Sequence, residues 1–242
     1  MENSSKVFLS AEWRDLVFLN YVVEPSLLLT YVPAGTTLDA YQGKTYLSLV
    51  GFRFCQTKLW GKISIPFHTE FEEVNLRFYV RREAGSELRR GVVFIKEIVP
   101  KPAIALTARL VYGENYVSLP MKHRIANGAD YQEAEYSWKH KGSWMQLFAR
   151  SVLTPKPPAE NSLEQYITEH YWGYSRQKSN RTLEYQVKHA SWPACLASDA
   201  GFSGDAEELY GRELSSVLSR TPDSVYVANG SSIEVYPAGP VS

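Results

Sequence analysis

One stretch of alternating side chains, residues 73–80, constrains the fold of this chain more than any other feature. Its residues fall into a polar and an apolar set. The polar set is Glu73, Asn75, Arg77 and Tyr79, and the apolar set is Val74, Leu76, Phe78 and Val80. A period of two predicts a β-strand with one face in a hydrophobic core. The polar face either meets water or lines a cavity, and alternation alone does not distinguish these two arrangements.

Strand signals of this kind recur along the chain. Short runs rich in aromatic and β-branched residues are separated by turn residues, which predicts a fold dominated by strands. The predicted strands are residues 44–55, 71–82, 88–99, 103–112, 116–123, 133–140, 143–152, 182–189, 224–228 and 231–236. The last two are predicted to form a hairpin at Asn229-Gly230, because both residues tolerate positive φ. Gly51, inside the first strand, predicts a bend or a close backbone approach.

Three short helices are predicted between the strands. Residues 25–31 begin with Pro25, which suits the first helical position. Residues 163–171 follow Ser162, which has the spacing of a capping box with Gln165. Residues 205–218 begin at a capping aspartate. We therefore expect one β-rich α+β domain over residues 1–242, with a single curled antiparallel β-barrel and a few peripheral helices.

Charge and cysteine content exclude several functions. The 26 basic and 26 acidic side chains cancel, so no electrostatic footprint for nucleic acid or a membrane surface is expected. Cys55 and Cys195 form no disulfide framework and are interpreted as reduced thiols. The apolar region 16–32 is interrupted by polar residues and a proline, so it is not a membrane span. The first ten residues lack a secretory signal, which favours a cytoplasmic protein.

Several longer motifs resemble a known family. They are residues 71–77, 91–100, 116–121 and 170–174, together with 11–14 and 32–36. On these motifs the chain, with a core of about residues 8–236, resembles the YqjF-like family of uncharacterised bacterial proteins. That family is similar in turn to the acetoacetate decarboxylase-like superfamily. The resemblance implies a closed or nearly closed β-barrel around a small-molecule cavity, with Glu73 on the strand that carries an active-cavity glutamate.

The same resemblance implies a catalytic lysine that this chain lacks. Acetoacetate decarboxylase uses a lysine as Schiff-base nucleophile, shortly after an aromatic–glycine step. The comparable step here is Tyr112-Gly113, followed by Glu114-Asn115-Tyr116-Val117, and Lys122 lies too far along for the same register. We therefore expect no Schiff-base decarboxylation. Tyr116, at or near the vacated position, offers only a hydroxyl, whose ordinary pKa of about 10 makes it a weak base.

The candidate ligand-binding residues are Arg53, Glu73, Asn75, Arg77, Tyr116 and His170. If the polar strand face points inward, Arg77 can hold a carboxylate through its planar fork of donors. Glu73 is then the candidate catalytic residue, with a pKa tuned by burial. The alternative is a solvated face whose ion pairs contribute little stability. The neighbours Lys96 and Glu97 face opposite sides of one strand, and the sequence does not tell which of them points inward.

Three functions fit these observations. The favoured one is binding of a small organic molecule, anionic if Arg77 contacts it, in the barrel cavity. The alternatives are a lyase- or isomerase-type acid/base enzyme on the same cavity and a structural or assembly module. No cofactor or metal is predicted, because the five histidines show no metal-ligand spacing. The expected partner is the small-molecule ligand, with no nucleic acid and no membrane, and a homo-oligomer is left open.

Overall fold

The structure, a computed structural model, describes residues 6–64, 66–128, 131–177 and 181–241. Sixteen strands and five helices form within these residues. The strands are β1 (Leu9–Val23), β2 (Thr37–Leu38), β3 (Thr45–Leu59), β4 (Ile63–Ser64), β5 (Phe71–Ala84), β6 (Glu87–Val99), β7 (Tyr116–Ser118), β8 (Met121–Asn127), β9 (Gln132–His140), β10 (Ser143–Ser151), β11 (Trp172–Arg176), β12 (Thr182–His189), β13 (Ala194–Leu196), β14 (Asp199–Ser203), β15 (Ser224–Val235) and β16 (Gly239–Pro240). The helices are α1 (Pro25–Leu29), α2 (Pro102–Val111), α3 (Leu163–Thr168), α4 (Glu207–Tyr210) and α5 (Arg212–Leu218). None of the helices in the described ranges is long and apolar enough to cross a membrane.

A large curled sheet and a small sheet build the fold. The main path of the large sheet runs β13-β15-β1-β3-β5-β6-β11-β12-β16, and β12 pairs additionally with β15. The strands β15, β1, β3, β5, β6, β11 and β12 therefore form a closed circuit of pairings. Most pairings are antiparallel, as predicted, but β11 and β7 both pair with β6 in parallel. The small sheet has the order β14-β10-β9-β8 and is antiparallel throughout.

The small sheet covers one face of the curled sheet. Leu49, Leu76 and other alternate residues of the long strands share a hydrophobic core with Tyr136 and Leu147 of the small sheet. A side chain at Gly51 would obstruct this contact, since a Cβ there would lie 2.6 Å from the Tyr136 ring and 2.7 Å from Leu147. The predicted close approach at Gly51 is therefore confirmed.

The prediction of a strand over residues 103–112 was wrong, because this segment is helix α2. Pro102 occupies the first turn, where its missing N–H costs nothing. Alanines, the best helix formers, supply much of the segment. Ala105 and Tyr112 are both buried, and their spacing of seven residues corresponds to two helical turns. The sequence did not show this helical spacing, because the segment is a short, mostly apolar run.

The predicted hairpin at Asn229-Gly230 was also wrong, because β15 runs straight through it. Gly230 has the positive φ that the dipeptide favours, 80°, but uses it inside a strand. There it lies against the backbone of β1, where a Cβ would approach the Trp13 carbonyl oxygen within 1.9 Å. The glycine therefore permits a close backbone approach rather than a turn.

The two longer predicted helices are shorter in the structure. Helix α3 ends at Thr168, so His170 lies beyond it. Ser162 Oγ accepts from the Gln165 N–H at 3.1 Å, as predicted. The second bond of the capping box does not form, because the Gln165 side chain accepts from the Asn161 N–H at 2.8 Å instead of from the Ser162 N–H. The segment 205–218 is divided into α4 and α5 at Gly211, whose φ is 84°.

Candidate functional site

A cavity of about 230 Å³ lies on the interior face of the curled sheet. Its wall is mainly aromatic and aliphatic, with residues of β1, β3, β5, β6 and β12 and of helix α2 contributing. The aromatic residues include Trp13, Phe52, Phe54, Phe71, Trp172 and Trp192. A mostly apolar concave wall with a few polar groups is typical of small-molecule sites.

Glu73 is a buried acid in this wall. Strand β5 places it on the same face as Asn75 and Arg77, two and four residues along. Its carboxylate accepts from Asn75 Nδ2 at 3.0 Å and from the Tyr116 hydroxyl at 2.9 Å. Burial raises the pKa of Glu73 to about 7, against the lowering effect of the two hydrogen bonds and of Arg77. Glu73 therefore changes charge near neutral pH.

Glu97 and Glu114 are two further buried acids beside Glu73. Glu97 lies opposite Asn75 in the β5–β6 pairing, and Oε2 of Glu97 has no hydrogen-bond partner in the described part of the chain. Burial, then the charges of Glu114 and Glu73, raise the pKa of Glu97 well above its usual value. Glu114 accepts from the Tyr185 hydroxyl at 2.9 Å, and its pKa is raised to about 8, by burial first and then by the charge of Glu73.

The inward member of the pair Lys96 and Glu97 is thus Glu97, which is 2% exposed and lines the cavity. Lys96 is half-buried, and its pKa is lowered by burial. Among the described residues that line the cavity, none is a lysine.

Arg77 is the only Arg or Lys among the described lining residues. Its Nη2 donates to the Ile167 carbonyl oxygen at 3.1 Å, and its guanidinium lies 5.4 Å from the Phe18 ring centroid and 5.7 Å from that of Tyr79. These contacts fix the direction of the guanidinium. Its Nε has no hydrogen-bond partner in the described ranges, so Arg77 retains a free buried donor.

His170 lies in the same wall, just after helix α3. Its ring is 4.6 Å from the Tyr79 ring, and neither ring nitrogen has a hydrogen-bond partner among the described residues. Burial, with the nearby Arg77 charge, holds the pKa of His170 well below its usual value. His170 is therefore a neutral ring at pH 7.

Arg53 does not line the cavity, contrary to the prediction. Its neighbours Phe52 and Phe54 point into the cavity, so alternation along β3 places Arg53 on the other face. There its guanidinium pairs with Asp15 at 2.6 Å. The other five candidate residues do line the cavity, and their role in binding stays a prediction. They are Glu73, Asn75, Arg77, Tyr116 and His170.

The site also contains residues that sequence reasoning missed. Glu114 was read only as part of a turn, although it directly follows the aromatic–glycine step where the resemblance implied a catalytic group. Tyr185 stood in a correctly predicted strand with no sign of which face it occupied. The wall from helix α2, with Ile104 and Ala108, was missed because that segment was predicted to be a strand.

Within the described ranges, no group of three or more His, Cys, Asp or Glu side chains is placed to hold a metal ion.

The curled sheet and its cavity define a protein with an acetoacetate decarboxylase-like fold. The acetoacetate decarboxylase of Legionella pneumophila matches it with a TM-score of 0.67 over 99% of this chain and 90% of that one, at 12% identity. The enduracididine biosynthesis enzyme MppR, complexed with the condensation product of pyruvate and imidazole 4-carboxaldehyde, matches with a TM-score of 0.68 over 97% of this chain and 89% of its own, at 11% identity. At such identities the likeness concerns the fold alone.

In sequence, the family model DUF2071, described as an uncharacterized conserved protein, matches residues 10–232. The chain therefore belongs to the DUF2071 family. The uncharacterized protein YqjF of Bacillus subtilis (strain 168) is 25% identical over 180 residues, which cover 74% of this chain and 72% of YqjF. The predicted family resemblance is confirmed.

Proposed function

We propose that the protein binds a small organic carboxylate in the cavity and does not form a Schiff base with it. The observation that carries this proposal is the unpartnered Nε of Arg77, the only Arg or Lys among the described lining residues. A guanidinium presents its donors in a plane that matches a carboxylate. The neutral His170 ring, with two unpartnered nitrogens, supplies a further hydrogen-bonding group in the same wall.

The absence of a lysine among the described lining residues supports the second half of the proposal. Schiff-base catalysis needs an amine with a lowered pKa next to the substrate carbonyl. Glu114 and Tyr116 stand in the segment where that amine was expected, and neither side chain can form an imine. The MppR structures, with HEPES or a pyruvate condensation product bound, add the argument that this fold accommodates small organic acids.

Thermal unfolding and calorimetry with small carboxylates test the proposal. Pyruvate, butanoate, 3-hydroxybutanoate and succinate are added to the purified protein, since a ligand that binds only the folded state raises the apparent stability. At least one is expected to bind, and Arg77→Gln is expected to weaken that binding at least tenfold. Arg53→Gln is the matched control, because it removes the same charge from the face of β3 that points away from the cavity. This variant is expected to bind the carboxylate as the wild type does. Equal affinities of the two variants contradict the role of Arg77.

A second candidate function is general acid/base catalysis by Glu73. The pKa of about 7 favours it, because a group that changes protonation near the working pH serves best in proton transfer. The test is incubation of a bound carboxylate in D₂O, followed by NMR of its C–H protons. Exchange that is catalysed by the wild type and falls by about 10²–10⁴ in Glu73→Gln identifies an enzyme. Binding without exchange identifies a binding protein.

A further inference from the structure

We propose that the ligand is zwitterionic: opposite its carboxylate it carries an ammonium, amidinium or guanidinium group that the carboxylate of Glu97 receives. The inference rests on the proposed function, because it concerns the second end of the same ligand. It starts from Glu97, whose Oε2 is buried in the cavity wall without a hydrogen-bond partner among the described residues.

Glu97 differs from the other two acids in its partners. Glu73 is held by Asn75 and Tyr116, and Glu114 is held by Tyr185. A buried carboxyl oxygen without a hydrogen-bond partner carries a cost for its lost hydration. A ligand N–H group in the cavity can remove that cost, so Glu97 is the one of these three acids that a donor completes; the neighbouring Asn75 Oδ1, also without a partner among the described residues, can accept from the same group.

The charges around Glu97 favour a cationic donor over a neutral one. Three carboxyl groups lie together here: the charges of Glu114 and Glu73 both raise the pKa of Glu97, and the charge of Glu73 raises that of Glu114. Arg77 is the only Arg or Lys that the described residues contribute to this wall. A ligand cation stabilises the ionised carboxylates, whereas a second anion adds repulsion. Aromatic side chains such as Phe52, which lies opposite Glu73 in the β3–β5 pairing, offer ring faces that also attract cations.

Glu97 and Arg77 project into the cavity from nearby positions on neighbouring strands. Glu97 lies opposite Asn75, and Arg77 is two residues further along β5 on the same face. Two residues of strand rise and one strand separation place the two Cα atoms about 8 Å apart. Both side chains line the cavity from these nearby positions, so a short molecule with a carboxylate at one end and a nitrogen group at the other can contact both.

Calorimetry with a matched set of probes tests the inference at pH 7.5. The probes are 4-guanidinobutanoate and 4-aminobutanoate, which carry both charges, butanoate, which carries only the carboxylate, and propylguanidinium, which carries only the cation. At least one zwitterion is expected to bind the wild type at least tenfold more tightly than butanoate does. Glu97→Gln is expected to reduce this preference at least fivefold and to change butanoate affinity less than threefold. Glu72→Gln is the control, because Glu72 is the neighbour of Glu73 on the opposite strand face and pairs with His123.

Proton linkage provides a second readout on the unmutated protein, should Glu97→Gln fold poorly. Titrations in buffers of different ionisation enthalpy count the protons that move on binding. A cationic group that stabilises ionised carboxylates must release protons, whereas butanoate must take them up. Release of protons with the zwitterion therefore supports the inference, and uptake with both ligands overturns it.

The outcomes separate this inference from the proposed function. Butanoate that binds as tightly as the zwitterions overturns the nitrogen site and leaves the carboxylate site standing. Propylguanidinium that binds as tightly as the zwitterions supports the nitrogen site and overturns the role of Arg77. Failure of all four probes to bind at millimolar concentration overturns both.

Discussion

In strands β3 and β5, residues of both faces are buried, yet one face packs against protein and the other borders a cavity. On the covered face, Leu49 and Leu76 meet the small sheet in a core of apolar side chains. On the cavity face of the same strands lie Phe52, Glu73 and Arg77. The two faces of these strands thus differ in polarity although residues of both are buried, and Glu73 and Arg77 face an interior space.

This comparison explains why Glu73, Glu97 and Glu114 lie on the cavity face. The covered face belongs to a hydrophobic core, and in a close-packed core an unpaired charge has no compensation. The cavity face leaves room for hydrogen bonds among side chains, and burial raises the pKa values of the acids there, which favours their neutral forms. Stability and function are therefore divided between the two faces of the same strands.

Truncation of a leucine should separate the two faces most strongly. Leu147→Ala removes a fully buried side chain from the covered face, and we expect a loss of about 2–5 kcal/mol in the free energy of unfolding. Leu16→Ala is the matched change in the cavity wall and should cost less, because that side chain already borders empty space. Urea unfolding of both variants measures the difference. Equal losses would mean that the cavity face is packed as tightly as the covered face.

The second prediction concerns the pH dependence of stability. A carboxyl whose pKa is raised on folding contributes stability that is complete below its unfolded pKa and is lost as pH rises through its folded pKa. For Glu73, a rise from 4.5 to about 7 corresponds to roughly 3 kcal/mol. The free energy of unfolding of Glu73→Gln, relative to wild type, should therefore increase by that amount between pH 4.5 and 8. A flat difference for Glu73→Gln would show that its carboxyl is not held in a desolvated site.

A third prediction tests how closely the small sheet approaches the curled sheet. Gly51→Ala adds a methyl group where a Cβ would lie 2.6 Å from the Tyr136 ring, so neighbouring side chains must shift. We expect a loss of about 1–3 kcal/mol, as for other overpacked cores. Ligand affinity should be retained, because the added methyl group points away from the cavity. Chemical denaturation measures the first effect and calorimetry the second, and a stabilised variant would show that this contact is loose.

Much of this architecture could be predicted from the sequence. Alternation located β5, β6, β9, β10 and β12, and the same periodicity gathered Glu73, Asn75 and Arg77 on one face. These predictions succeeded because strand periodicity is local, and a half-buried strand displays it without knowledge of its neighbours.

The rest depended on tertiary structure. Alternation could not say that the polar face of β5 enclosed a cavity, since that follows from pairings between distant strands such as β12 and β15. Glu114 became part of the site through the parallel pairing of β7 with β6, which no local signal announces. Gly230 was misread because positive φ serves a close approach between strands as well as a turn.

The smallest predicted effect belongs to Arg53, the candidate residue that the structure places outside the cavity. Its pairing with Asp15 is partly exposed, with 28% and 20% of the two side chains accessible, so solvent screens the attraction. Arg53→Gln should therefore cost only about 0.2–1 kcal/mol in the free energy of unfolding, which urea denaturation can resolve against wild type. Its ligand affinity should equal that of wild type, because Phe52 and Phe54 on either side, not Arg53, border the cavity. A loss of ligand binding in this variant alone would mean that the two faces of β3 are coupled, and the division of stability and function between them would then fail.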